Sequence, residues 1–178
     1  MTQEELNEIL KKHKLWLRGE AGGERFVSCY GEDLSGLDFS EADLTFADLT
    51  GADLTRADLI YADLTGAKLT GADLIYADLT GANLTKACLR KACLIGTDLT
   101  GANLTNALLI HADLTDADMR EADMHGADIH EADLERALFT ICKKSKDLIL
   151  QLAENIKESR QEKSPSDTSA QAASGEPD

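Results

Sequence analysis

Four cysteines, four histidines and 33 acidic residues in 178 are the side chains with the chemistry for metal binding, redox exchange or acid–base catalysis. Their spacing argues against each use. Cys88 and Cys93 lie one repeat unit apart, and none of Cys29, Cys88, Cys93 and Cys142 forms the C-x-x-C pair of a zinc or dithiol site. His111, His125 and His130 share no column, and no carboxylate–histidine grouping stands out. Ser and Thr recur at a fixed interval instead of beside a base. The expectation is therefore no catalytic residue, no cofactor site, no metal site and no enzyme.

The interval is five. From Gly51 to Leu74 the chain reads GADLTRADLIYADLTGAKLTGADL, with Leu54, Leu59, Leu64, Leu69 and Leu74 evenly spaced. Helices repeat every 3.6 residues and strands every 2, so neither accounts for it. With the central apolar residue taken as the anchor, 22 consecutive anchors run from Leu34 to Phe139 without an insertion or deletion. Seventeen are Leu, among them Leu84, Leu94 and Leu104. Two residues earlier, 19 of 22 positions are Ala; one earlier, 15 are Asp and two Asn; one later, 13 are Thr or Ser. The fifth position varies freely in type. Ala-x-Leu has the alternation of a short strand, and the next two residues make a corner. Such units must coil with every anchor inside, each turn burying its apolar face on the next at about 4.8 Å. Each buried Leu contributes about 1.5–3 kcal/mol. Backbone ordering costs about 1–2 kcal/mol per residue, so stacked backbone hydrogen bonds are needed as well. A filled coil also lacks the concave pocket of an active site.

Three further segments flank the coil. Residues 1–24 read as a capping helix and loop: Thr2 and Glu5 match a capping box, Leu6, Ile9, Leu10 and Leu17 share a stripe with His13 between them, and Gly19 is a stop signal. The coil is assigned to 25–141. Helical spacing returns in 142–163 through Leu148, Ile149, Leu152 and Ile156, and the polar tail 164–178 is expected to be disordered. The helices would cover coil ends that otherwise invite end-to-end growth. A net charge of −15 argues against direct binding to nucleic acid or to a membrane surface. No long apolar run is present, and a cytoplasmic protein with reduced thiols is expected.

Units such as ADLTG, ANLTK and ADLIY resemble the pentapeptide-repeat family, of form Ala-(Asp/Asn)-Leu-x-x, and the lead-in is most similar to those of small bacterial and phage-encoded members. The resemblance implies an all-β solenoid: a right-handed quadrilateral β-helix with four units per turn and short terminal α-helices. It also implies a non-catalytic interaction or scaffold rod, monomeric or a homodimer through the terminal helix. Some relatives are DNA mimics that bind type II topoisomerases, which makes DNA gyrase or topoisomerase IV the alternative partner. The present chain has the acidity for that role but no loop inserted in its repeats.

With four units per turn, residues four units apart stack. Asp38, Asp58, Asp78, Asp98 and Asp118 then form one column. Stacked carboxylates repel by about 1 kcal/mol in water, so something local must favour them. Asn substitutes for Asp, and both offer an oxygen to a backbone N–H at a turn. Turn chemistry is the first reading of that column, and a selected acidic surface the second. Ile75 and Ile95 stack outward beside Tyr76, either as β-favouring replacements for Thr or as a partner surface. Lys68, Arg90, Lys91 and His111 lie near one side, with Lys86 a corner away, and break the acidic field halfway along.

Overall fold

The computed structural model describes residues 1–28 and 30–139. Helix α1 spans Gln3–Leu17 and starts on the expected capping box: the Thr2 hydroxyl accepts from Glu5 N–H at 3.2 Å and the Glu5 carboxylate from Thr2 N–H at 2.7 Å. It ends at Arg18, after which Gly19 turns left-handed at φ 67°. Its inward stripe buries Leu6 and His13 and rests Ile9 and Leu10 on the first coil. Gln3 closes the edge of that coil. Its side-chain amide donates to Asp38 O at 2.8 Å and accepts from Asp38 N–H at 2.9 Å, in place of a preceding strand.

From Asp33 onward the backbone pairs with itself in parallel at one constant interval: Asp33↔Asp53, Asp38↔Asp58, Asp43↔Asp63, Asp48↔Lys68 and so on to Asp113↔Asp133. That interval is four units, so the coil has four sides. Pairing is one residue deep in each unit except at the end, where strand β1 (Asp118–Met119) pairs with strand β2 (Leu138–Phe139). The first coil departs from the register. Val27 takes the place opposite Asp48 that the constant interval would give to Ser28, which puts Phe26 at the Ala position and Ser28 at the anchor position. Ser28 Oγ is buried there without a partner among the described residues.

One unit shows why the residue types recur. In Ala62–Gly66 every N–H group finds an acceptor. Ala62 donates to Leu59 O at 3.0 Å across the corner, Asp63 to Ala42 O at 2.9 Å on the coil before, Leu64 to Asn83 O at 2.8 Å and Gly66 to Thr85 O at 2.9 Å on the coil after. Thr65, the one left over, donates to Asp63 Oδ1 at 2.9 Å. The Asp or Asn therefore completes the unit's hydrogen bonding, which open backbone alone would not. The anchors and their Ala partners fill the interior, and Leu54, Leu74, Leu84, Leu94 and Leu104 are fully buried. Thr97, an exception at the Ala position, is buried with its hydroxyl donating to Leu74 O at 2.8 Å.

The fifth position is free in type but not in conformation. At all 21 such positions from Gly36 to Arg136, φ lies between 54° and 69°. With the cross-corner bond this is a type II turn, whose third residue must be left-handed. Thirteen of these positions carry side chains that ordinarily avoid that region.

The expected helix at 142–163, the tail at 164–178 and a homodimer through the terminal helix all lie outside the described residues.

Candidate interaction surfaces

The acidic column is assembled as the four-unit interval requires. Asp38, Asp58, Asp78, Asp98 and Asp118 are bridged in sequence along one side. Each Oδ1 accepts the N–H of the residue two further on, at 2.8, 3.0, 2.9, 2.9 and 3.1 Å respectively. The Ser40 hydroxyl and N–H hold Asp38 below the ordinary carboxylate range, and the Arg120 guanidinium does the same for Asp118. The column is thus built by turn chemistry, and at its end the second oxygen of Asp118 accepts from the Arg120 guanidinium.

Ile75 and Ile95 are likewise brought together, half-buried on the next side, with Tyr76 at the corner between them and its N–H on Ile95 O at 3.0 Å. Tyr76 belongs to a set that the sequence reading did not pick out. A methyl group added at Gly66, Gly81 or Gly96 would collide with ring carbons of Phe46, Tyr61 or Tyr76 respectively. Each exposed ring lies across the glycine one coil on. The signal was present: every aromatic at the fifth position of a repeat unit has Gly at the fifth position four units later.

Among the cysteines, Cys88 and Cys93 are free, and burial raises the Cys93 thiol above its ordinary pKa. Cys88 Sγ lies 3.3 Å from the Thr70 hydroxyl. The histidines correct an expectation. Glu131 meets both His111 Nδ1 at 2.9 Å and His130 Nε2 at 3.3 Å, because a corner residue sits beside its own neighbour and over the same corner of the coil before. The grouping is open to solvent, and no His, Cys, Asp and Glu cluster among the described residues is arranged to hold a metal. No helix among the described residues is long and apolar enough to cross a membrane.

A five-residue unit, four units per coil and an Asp/Asn–anchor core decide the assignment. The sequence matches the family described as Pentapeptide repeats, in 8 copies, over residues 38–74, 62–101 and 102–140. The chain belongs to the pentapeptide repeat family. Similar solved structures include the pentapeptide repeat protein Rfr23 from the cyanobacterium Cyanothece 51142, 35% identical over 56% of this chain and 65% of that one, with a TM-score of 0.49. The pentapeptide repeat protein alr5209 from Nostoc PCC 7120 is 31% identical over 73% of this chain and 93% of that one, with a TM-score of 0.48. QnrB1, a plasmid-mediated fluoroquinolone resistance protein, is 18% identical over 74% of this chain and 81% of that one, with a TM-score of 0.30. No curated protein sequence matches the chain.

Proposed function

We propose that this pentapeptide repeat protein is a non-catalytic rod that binds another protein through its outward columns, its winding right-handed and its free thiols suited to the cytoplasm. The observation that carries the reading is the closed interior. Anchors from Leu34 to Ile129 are at most 5% exposed, so all chemical variety is displayed on the outside. Of the outward features, the half-buried pair Ile75 and Ile95 with Tyr76 is the first candidate for contact, because two stacked Ile replace the usual Thr beside an exposed ring. Affinity capture from the native host with wild type and with Ile75→Thr/Ile95→Thr tests this. A partner recovered by the first and lost by the second is expected; identical recovery removes the strip.

A second reading is an acidic DNA mimic that acts on a type II topoisomerase, with the column Asp38–Asp118 as its contact. Charge density favours it. Residues 25–141 hold 21 acidic and 8 basic side chains. Over a rod of roughly 28 Å, that is about one net charge per 2 Å, near the 1.7 Å of duplex DNA. Its distribution favours the first reading instead, since residues 64–110 hold 3 acidic and 4 basic side chains and interrupt the field. A supercoiling assay with purified gyrase separates the two: no effect at micromolar protein rules out mimicry.

A further inference from the structure

The rod has two acidic bands and a waist between them. Residues 31–63 hold 9 acidic and 1 basic side chain, residues 111–136 hold 9 and 2, and the intervening 64–110 hold 3 and 4. The waist cations gather on one side. The bridged column Asp48–Lys68–Cys88–Leu108–Asp128 loses its carboxylate in three successive coils. Arg90 and Ile110 project from the same side, Lys91 and His111 from the corner that follows, and Lys86 from the corner before. Around the Lys91 corner, the adjacent side continues with Cys93, Ile95 and Ile75.

These cations differ from the others on the coil in what they touch. Arg25 and Lys68 meet Asp48 at 3.5 and 3.1 Å, Arg120 meets Asp118 at 2.5 Å, and Arg136 meets Asp116 at 2.5 Å. Lys86, Arg90 and Lys91 are exposed, and among the described residues no carboxylate lies within ion-pair distance of them. Arg56 shares that condition, but it lies in the first acidic band. Of these three cations without counter-charges, Arg90 and Lys91 stand between two half-buried rows, Cys88 and Leu108 on one flank and Cys93, Ile95 and Ile75 on the other, with Ile110 stacked on Arg90 and Lys86 at the corner beyond Cys88.

We propose that the waist is a docking surface for a short, extended, acidic segment of a partner protein that carries apolar residues between its carboxylates. The inference rests on the reading of the rod as a protein binder and names the chemistry of what it binds. Unpaired cations attract carboxylates, and the apolar rows give intervening Leu or Val a surface to cover. The bands set the length. Three coils span about 10 Å between the outer two, room for roughly three or four extended residues along the axis. A longer polyanion laid along the rod runs into both bands, which lie within about one Debye length (8 Å at physiological salt) of the waist. The same repulsion disfavours a nucleic acid, and a second copy of this chain brings its own −15.

The test is fluorescence anisotropy on the full chain with a labelled tetrapeptide of alternating Glu and Leu, beside a Lys/Leu tetrapeptide and a single-stranded oligonucleotide. The Glu/Leu probe is expected to bind, to weaken as salt rises, and to lose at least tenfold in affinity in Lys86→Glu/Arg90→Glu/Lys91→Glu. That variant should fold, because Glu41, Glu121 and Glu131 already occupy the left-handed corner position of Lys86 and Lys91, and Glu135 the position of Arg90; an unchanged melting temperature checks it. No binding of the Glu/Leu probe to wild type, equal binding to the triple variant, or tighter binding of the oligonucleotide each overturns the proposal. So does self-association in light scattering that the triple variant abolishes, since a second copy would then be the occupant. A captured partner that survives the triple reversal but not Ile75→Thr/Ile95→Thr overturns the waist alone and leaves the protein-binding rod in place.

Discussion

The middle coils and the capped first coil are stabilised in opposite styles. In the middle, one contact rule is repeated: Leu over Leu, Ala over Ala, Oδ1 on the N–H two residues on. At the cap each contact occurs once. Gln3 pairs with the Asp38 backbone, His13 bridges Phe26 N–H at 3.0 Å and Thr45 O at 3.1 Å, and Trp16 stacks on His13 at 5.5 Å between ring centroids. Repetition spreads stability along the rod, whereas the cap concentrates it in a few groups whose loss has no neighbour to compensate it.

The largest effect expected comes from the same truncation made in both regions. Leu84 and Leu6 are each fully buried, so Leu84→Ala and Leu6→Ala should each cost about 2–5 kcal/mol. The consequences differ. Leu84→Ala should lower the melting temperature of the whole coil by roughly 10 °C, at about 2–4 °C per kcal/mol for a chain of this size. Leu6→Ala should release the cap while amides around residues 64–110 keep their hydrogen-exchange protection. Equal loss of protection in the two variants would show that cap and middle are one cooperative unit.

This contrast also explains what could be read from the sequence. Each interior column supplies several independent examples of its rule, so the period, the anchors and the Asp role emerge without coordinates. The stacking of every fourth unit needed the family resemblance, because periodicity leaves the number of sides open. The left-handed fifth position stayed hidden because thirteen non-glycine residues occupy it; its conformation is fixed by the coil and its residue type is not. The cap contacts had one example each. His13 was legible as a member of the helical stripe, but nothing in its neighbours said that both ring nitrogens meet backbone. The Lys86, Arg90 and Lys91 cluster was visible, while its lack of counter-charges required side-chain geometry.

Ala82→Leu sharpens the interior half of the comparison. Ala82 is fully buried where four sides converge, and added carbon there should force the coil apart at about 1–3 kcal/mol. Thermal unfolding by circular dichroism reads the loss. A melting temperature equal to that of wild type would mean that the Ala column has room, and that size is not why Ala is used.

Protonation tests the cap without a mutation. His13 accepts Phe26 N–H at Nδ1, so Nε2 carries the proton and donates to Thr45 O, and the ring is neutral in the folded state. Burial lowers its pKa below the usual 6.5, Asp43 opposing that shift and Arg25 adding to it. The folded state thus binds this proton less readily than the unfolded chain does. Its contribution is complete above about pH 6.5 and is lost as pH falls through that value toward the lowered one, with a slope of at most about 1.4 kcal/mol per unit. Melting temperatures between pH 8 and 5 should fall more steeply for wild type than for His13→Gln. Parallel curves would place the cap's pH dependence elsewhere.

The smallest effect belongs to the outer surface of the middle coils. Thr85 is half-exposed; its hydroxyl donates to Asn83 Oδ1 at 2.7 Å, and its own N–H reaches the same oxygen at 3.2 Å. Thr85→Ala removes the first bond and keeps the second, and water can take the vacated side of Oδ1, so the loss should stay under about 1 kcal/mol. Asn83→Ala removes the acceptor itself, together with the Asn83 amide donation to the Thr65 hydroxyl at 2.9 Å. Its greater cost would locate the value of this position in the turn oxygen. If Thr85→Ala instead lowered the melting temperature as far as Ala82→Leu, the hydroxyl row would be as structural as the Ala column, and the division between a fixed interior and a permissive exterior would fail.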